Sequence, residues 1–178
     1  DGCAAGWLRA AAHPGDADPA LEYREVGAVE LPVIPGDPDW HTSTAPVLVR
    51  DRPSAAPRVI DGFGALYRAW LAHVAAELRA RIDRPIVVIV ESRQLGELLV
   101  GWDDPAVRLV HAIHTIHLEP PFSASAPVNA LWSRWFDVAE RFDAVLWPTP
   151  TQHAEVQERF GRSDVHVIAP HAVAPAAR

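Results

Sequence analysis

The chain has 178 residues and is 49 % hydrophobic, enough to bury the core of one domain of ordinary size. Its 16 basic residues against 23 acidic ones give a formal net charge of −7 without a basic cluster, which disfavours nucleic acid as a partner. Because Cys3 is the single cysteine, we expect no internal disulfide and a reducing cytoplasm, and no apolar run reaches the roughly 20 residues of a transmembrane segment.

The first part of the chain, residues 1–57, is rich in proline, glycine and aspartate. Residues 22–34, EYREVGAVELPVI, contain a strand-like alternation of apolar residues, and TAPVLVR at 44–50 predicts a second short strand. Prolines interrupt both segments, which is typical of edge or irregular β-structure. We therefore predict an irregular β-rich segment over 1–57 and assign it no function.

A regular helical pattern follows in residues 63–82, FGALYRAWLAHVAAELRARI. Apolar residues recur there at intervals of four, which predicts an amphipathic helix with one face toward a core. The stripe consists of Leu66, Trp70, Val74, Leu78 and Ile82.

From residue 58 to the end, the sequence predicts strands that alternate with helices. PIVVIV at 85–90 is apolar throughout, as in a strand buried on both faces. The alternation implies right-handed βαβ units, and so an α/β fold with a Rossmann-like parallel sheet and flanking helices over 58–178. The later strands are predicted at 107–117, 143–149 and 165–170, and the helices at 92–100, 128–142 and 149–161.

One of these helices carries clear end signals. Thr149 is the predicted N-cap, Pro150 lies at the first helical position, and Gln152 completes a capping box. Gly161 ends the helix.

Polar residues follow each predicted strand. Because the carboxyl ends of parallel strands share one edge of the sheet, we expect these residues to converge on one ligand-binding cleft. These residues also have simpler explanations, since loops are polar in general. Glu91 fits a solvated carboxylate, and helix capping alone explains Thr149 and Gln152. The candidate substrate-binding residues are Glu91, Ser92, Thr149, Gln152 and His171, with Thr151 beside them.

Three histidines, His111, His114 and His117, end the second predicted strand of this domain. Since alternate residues of a strand face opposite sides, His111 and His117 share one face and His114 takes the other, which disfavours a three-histidine metal site. We interpret His111 as a core residue and place His114 and His117 at the mouth of the cleft, as the candidate catalytic residues. No metal motif and no nucleotide-binding glycine motif occurs, so we expect neither metal nor cofactor.

The tryptophans of the helix predicted over 128–142 allow two interpretations. Trp132 and Trp135 are core residues if the helix buries that face, or they line a carbohydrate-binding surface.

Two segments resemble the GT-B retaining glycosyltransferases, and in particular the bacterial poly(glycerol-phosphate) alpha-glucosyltransferases. They are FDAVLWPTPTQHAEVQERFG at 142–161 and the H-x-x-H-L ending at 114–118, and the resemblance runs over about residues 58–175. It implies one half of a GT-B fold, in which two Rossmann-like domains face each other across a cleft. It also implies that His114 contacts the reacting sugar and that Thr149 and Gln152 lie near the cleft.

The resemblance departs from the full pattern in two places. The glycine-rich first loop is not seen, and neither is the C-terminal Rossmann domain that would bind most of the nucleotide sugar. We therefore expect an internal piece of a longer enzyme, the acceptor-side half, which needs that missing domain or a partner subunit and is inactive alone. Its substrates would be a nucleotide sugar and a hydroxyl acceptor, either a cell-wall polymer or a protein.

Two other readings stay open. The chain would be a non-catalytic α/β binding or assembly module if no second Rossmann domain accompanies it. It would be a metal-dependent hydrolase if the purified protein held stoichiometric zinc.

Overall fold

The computed structural model describes residues 4–36, 43–50 and 55–169. The chain forms two compact units: Asp1–Arg84 with Gly101–Asp103, and Pro85–Val100 with Asp104–Arg178. We call them the antiparallel unit and the parallel unit, after the sheet that each contains. No helix in the described ranges is both long enough and apolar enough to cross a bilayer.

The antiparallel unit contains a five-stranded sheet in the order β1-β5-β4-β3-β2. Strands β2 and β3 form a hairpin, and Gly27 takes φ 62° in its two-residue turn, a conformation that favours glycine. The elements are α1 (Ala4–Ala11), β1 (His13–Pro14), β2 (Glu22–Val26), β3 (Val29–Val33), β4 (Val47–Val49), β5 (Arg58–Ile60) and α2 (Gly62–Arg79).

The core of this unit lies between α1 and the central strands, and α2 packs against α1 and against β4 and β5. The predicted helix over 63–82 is confirmed as α2, but its apolar stripe is only partly covered, since Trp70, Leu78 and Ile82 are exposed. The buried core residues are Leu8, Ala12, Val47, Val49 and Ile60.

The structure draws the boundary between the units later than the sequence does. We predicted it at residue 57, whereas the compact units divide after Arg84. The reason is that Arg58–Ile60 pairs with Val47–Val49 in the antiparallel sheet, which draws the following helix into the same unit. The strands β1 to β4 lie within the β-rich segment predicted over 1–57, which agrees with that prediction.

The parallel unit contains four strands, all parallel, in the order β6-β7-β8-β9. The predicted α/β fold with a parallel sheet and flanking helices is confirmed. Its elements are β6 (Ile86–Val90), α3 (Arg93–Leu99), β7 (Val107–Ala112), α4 (Ala130–Phe136), a 3-10 turn (Ala139–Arg141), β8 (Ala144–Trp147), α5 (Pro150–Phe160) and β9 (His166–Ile168).

Helix α4 is shorter than the predicted span of 128–142. Val138 leaves the helical conformation, with φ −120° and ψ −1°, and the chain continues as the 3-10 turn. Trp135 and Phe142 are nevertheless both buried.

One face of the parallel sheet carries the helices. Trp135 of α4 contacts His111 of β7, and α5 packs against β8 and β9. Because the strand order advances in one direction, right-handed crossovers place every connecting helix on the same side. The prediction that β6 is buried on both faces is therefore wrong, since Val87 is 55 % exposed and Ile89 is 59 % exposed on the other side.

Candidate functional site

The candidate site lies at the carboxyl edge of the parallel sheet, where neighbouring strands end at similar heights. Val90 of β6 is opposite His111, and Ala112 of β7 is opposite Leu146 of β8. Beyond the strand, the Ile113 amide still donates to the Leu146 carbonyl at 3.0 Å. This register places the residues that follow each strand on one edge, which we call the rim.

An exposed acid–base pair is the central feature of the rim. His114 Nε2 lies 3.4 Å from Glu91 Oε1, and the two side chains are 40 % and 71 % exposed. The sequence predicted both residues separately; the structure shows that they are neighbours. An imidazole beside a carboxylate can hold a fixed orientation and exchange hydrogen bonds with a ligand hydroxyl.

Two other described rim candidates, Thr149 and Ser92, are helix N-caps. Thr149 Oγ1 accepts from the Gln152 amide at 3.2 Å and donates to Gln152 Oε1 at 3.0 Å. Ser92 Oγ accepts from the Leu95 amide at 3.4 Å at the start of α3. The predicted cap at Thr149 is thus confirmed, and these polar groups orient the helices that border the rim.

His117 does not lie at the mouth of a cleft, and that prediction is wrong. Its side chain is 1 % exposed, and its Nε2 pairs with Glu155 Oε2 of α5 at 2.5 Å. The second oxygen of Glu155 forms an ion pair with Arg159. The reason for the burial is that the chain turns inward after His114, so that the His117 ring packs among aromatic rings: Trp132, Phe136 and Trp147.

The environment of His117 favours its neutral form. Burial lowers the pKa of His117 below its ordinary value, and the Glu155 carboxylate opposes this shift. His117 Nδ1 is buried and has no hydrogen-bond partner among the described residues. The structure therefore assigns His117 a supporting position beneath the loop, without access to a substrate.

Two buried tryptophan–histidine pairs support the helix-covered face of the sheet. Trp135 Nε1 donates to His111 Nδ1 at 3.0 Å, and Trp147 Nε1 donates to His166 Nδ1 at 3.1 Å. Burial lowers the pKa of His111 to about 4 and also lowers the pKa of His166. The interpretation of His111 as a core residue is confirmed, whereas sequence reasoning did not single out His166.

A cavity of about 320 Å³ lies within the parallel unit, between the start of α3, the start of α4 and the loop after His114. Sequence reasoning missed its three polar residues, Arg93, Glu119 and Asn129. Trp132 also lines it, whereas Trp135 is fully buried and cannot belong to a carbohydrate-binding surface. No local signal marks this cavity, because its wall forms only when the loop returns to the sheet.

His171 lies outside the described residues, so its predicted place on the rim has no structural account. Among the described residues, no group of three histidine, cysteine or acidic side chains is arranged to hold a metal ion.

Comparisons with known proteins add a distant structural similarity. No family model matches the chain, and no curated protein matches it. A chain in the crystal structure of the GtfA/B complex is similar over 80 % of this chain, with 15 % sequence identity and a TM-score of 0.49. The match covers 26 % of that structure's chain, so this chain spans about a quarter of its length.

Proposed function

We propose that this chain is the acceptor-side half of a cytoplasmic glycosyltransferase that moves a hexose from a nucleotide sugar to a hydroxyl acceptor, a cell-wall polymer or a protein. The observation that carries the proposal is the exposed pair of Glu91 and His114 on the carboxyl edge of a parallel sheet. The resemblance of residues 142–161 and 114–118 to GT-B retaining glycosyltransferases supports the same reaction class.

In this reaction, the bond between the anomeric carbon and the diphosphate breaks, and the acceptor oxygen bonds to the same face of the sugar. The hydroxyl proton leaves with the diphosphate. His114 hydrogen-bonds to a hydroxyl of the reacting sugar, and Glu91 holds the imidazole in position. Charge on the leaving diphosphate is stabilised by the nucleotide-binding domain of the complete enzyme or by a partner subunit.

His117 contributes to this function indirectly. Its contact with Glu155 joins the loop after β7 to helix α5, whose N-cap is Thr149 on the rim. Thr149 and Gln152 border the sugar site, and Ser92 fixes the start of α3. Because the hexose must meet both domains to react, we expect residues 1–178 alone to show no transfer.

The test compares single variants of the full-length protein that contains this segment. His114→Ala should lower kcat at least about tenfold, which is the effect of losing one hydrogen bond to a charged or polarised group. The Tm should change little because the His114 ring is 40 % exposed. Glu91→Gln should act in the same direction. The matched control is His13→Ala, another exposed histidine, which lies 3.1 Å from Asp61 in the antiparallel unit.

Two outcomes would count against this function. If His114→Ala and His13→Ala leave kcat equally unchanged, the rim does not contact the reacting sugar. If the full-length protein transfers no hexose from any uridine, guanosine or thymidine diphosphate sugar, the enzymatic proposal fails.

A non-catalytic assembly module is the second candidate, because the helix-free face of the parallel sheet exposes apolar side chains. Val87 and Ile89 of β6 both point to that face. Parallel sheets are generally covered on both sides, so a stable complex built on this face would favour a binding role. Val87→Asp should then abolish the complex, whereas a transferase that acts alone would keep its kcat.

A further inference from the structure

The cavity beside the rim offers polar groups of both signs together with apolar walls. Arg93, Glu119 and Asn129 supply a guanidinium, a carboxylate and an amide, while Leu118 and Trp132 supply apolar surface. Two of these residues follow the strand ends closely: Arg93 comes two positions after Glu91, and Glu119 five positions after His114. The cavity volume of about 320 Å³ is at the small end of the range for ligand sites.

The polar side chains are held in place by contacts that leave some of their atoms unused. Asn129 Nδ2 donates to Glu119 Oε1 at 2.7 Å, and Asn129 Oδ1 accepts from the Leu131 amide at 3.0 Å. Arg93 Nη1 forms an ion pair with Glu97 and donates to the Leu131 carbonyl at 3.3 Å. Within the described ranges, Glu119 Oε2 and Arg93 Nη2 have no hydrogen-bond partner.

The charges around the cavity balance. Glu97 is only 8 % exposed and pairs with both Arg93 and Arg134, so these three side chains carry one net positive charge. The Glu119 carboxylate cancels that charge, so the four groups together offer no net attraction to a phosphate group. A ligand without net charge, able both to donate and to accept hydrogen bonds, suits this wall better than an anion does.

An aromatic ring at the cavity adds a third property. Phe122 lines the cavity and is half-exposed, although it is a large apolar residue. Its backbone has φ 62°, which is unfavourable for a side chain of this size, and its amide donates to the Glu119 carbonyl at 2.8 Å. The turn therefore holds an aromatic ring at the surface next to polar groups.

We propose that this cavity binds a neutral sugar residue of the acceptor, and not a glycerol phosphate unit. A pyranose presents an apolar C–H face to Phe122 and Trp132, while its hydroxyls meet Glu119, Asn129 and Arg93. The role of the bound sugar as acceptor rests on the proposed function, whereas its binding does not.

Binding is tested on the full chain by titrating three probes: methyl α-D-glucopyranoside, N-acetyl-D-glucosamine and glycerol 1-phosphate. The indole N–H signal of Trp132, assigned in a proton–nitrogen NMR spectrum with Trp132→Phe, reports on the cavity. At least one sugar should shift this signal in a saturable way with a Kd of roughly 1 mM, and glycerol 1-phosphate should bind about tenfold more weakly.

A carboxylate variant locates the binding. Glu119→Gln should weaken sugar binding about tenfold, since it removes one charge-assisted hydrogen bond. The control is Glu140→Gln, which changes a carboxylate that accepts from Ser163 at 2.7 Å away from the cavity, and which should leave the Kd unchanged. Phe122→Ala, at a half-exposed position, should weaken binding without unfolding the unit.

The inference is overturned if neither sugar shifts the Trp132 signal, if glycerol 1-phosphate binds more tightly than both, or if Glu119→Gln and Glu140→Gln behave alike. Each of these outcomes can be distinguished from a failure of the proposed glycosyltransferase reaction. If the full-length protein transfers a hexose but no sugar binds in this cavity, the proposed reaction stands and the cavity has no part in it. If a sugar binds in the cavity but the full-length protein transfers no hexose, the binding site stands and the proposed reaction fails.

Discussion

Acid should destabilise the parallel unit through His111, whose imidazole is held neutral in the folded protein. The ring is 1 % exposed, and its Nδ1 accepts the Trp135 indole hydrogen at 3.0 Å. Protonation of Nδ1 would bring two N–H donors face to face and would also place a charge in the core. Burial is the main reason that the pKa of His111 falls from 6.5 to about 4.

The sign and size of the effect follow from this pKa. The unfolded chain takes up the proton first as the pH falls, so the stabilisation is complete above pH 6.5, declines below it, and is exhausted near pH 4. The full difference in proton affinity corresponds to about 3 kcal/mol, of which about 2 kcal/mol is lost between pH 7 and pH 5. His117 and His166, whose pKa values burial also lowers, act in the same direction.

A variant separates His111 from the other two histidines. His111→Gln keeps a hydrogen-bond acceptor near Trp135 and removes the titrating ring. Urea unfolding, followed by tryptophan fluorescence and circular dichroism at pH 7, 6 and 5, should show that the native protein loses about 2 kcal/mol more than this variant. His13→Gln, a change at an exposed histidine, should keep the whole loss.

An equal loss of unfolding free energy by the native protein and by His111→Gln over this pH range would contradict the neutral state assigned to His111. In that event, the folded protein would accommodate the charged ring, and the Trp135 contact would not fix its state.

Three further changes test the packing of the parallel unit. Gly96→Ala should lower the free energy of unfolding of this unit by about 1–3 kcal/mol in urea unfolding, because the new methyl group would lie 2.7 Å from the buried His111 ring. The control is Gly6→Ala, in a helix with open space around it, which should be neutral or stabilising. Glu155→Gln should cost about 1–3 kcal/mol, measured as a lower urea midpoint, since it leaves Arg159 without a charged partner. Thr149→Ala should cost about 1 kcal/mol by removing the N-cap of α5, and an unchanged thermal midpoint would show that Pro150 alone starts this helix.

The parts of the structure that sequence reasoning predicted depend on short-range rules. The start of α5 is an example, because Thr149, Pro150 and Gly161 specify its ends through contacts within a few residues. The position of Glu91 beside His114 follows from one further rule, that consecutive parallel strands end on the same edge.

The parts that it missed depend on residues far apart in the chain. Glu155 is 38 residues from His117, and Trp147 is 19 residues from His166. No sequence period or motif marks either pair. The contact of Glu155 with His117 forms only when α5 packs on the sheet, and the contact of Trp147 with His166 forms only when β8 and β9 pair. The prediction that β6 is buried on both faces was wrong for a related reason. The apolar composition of β6 shows that both faces tolerate burial, but it does not show that both are covered.

The three histidines at intervals of three show that the alternation of faces in a strand does not extend beyond the strand. Strand β7 ends at Ala112, and beyond it burial no longer alternates: residues 111–113 are buried, 114–116 are exposed, and 117 and 118 are buried again. The chain returns to the core at His117, whose carbonyl accepts from the Asn129 amide at 2.9 Å, and Leu118 bridges Val128. Of the three rings, that of His114 is thus the one that lies where it can meet a ligand.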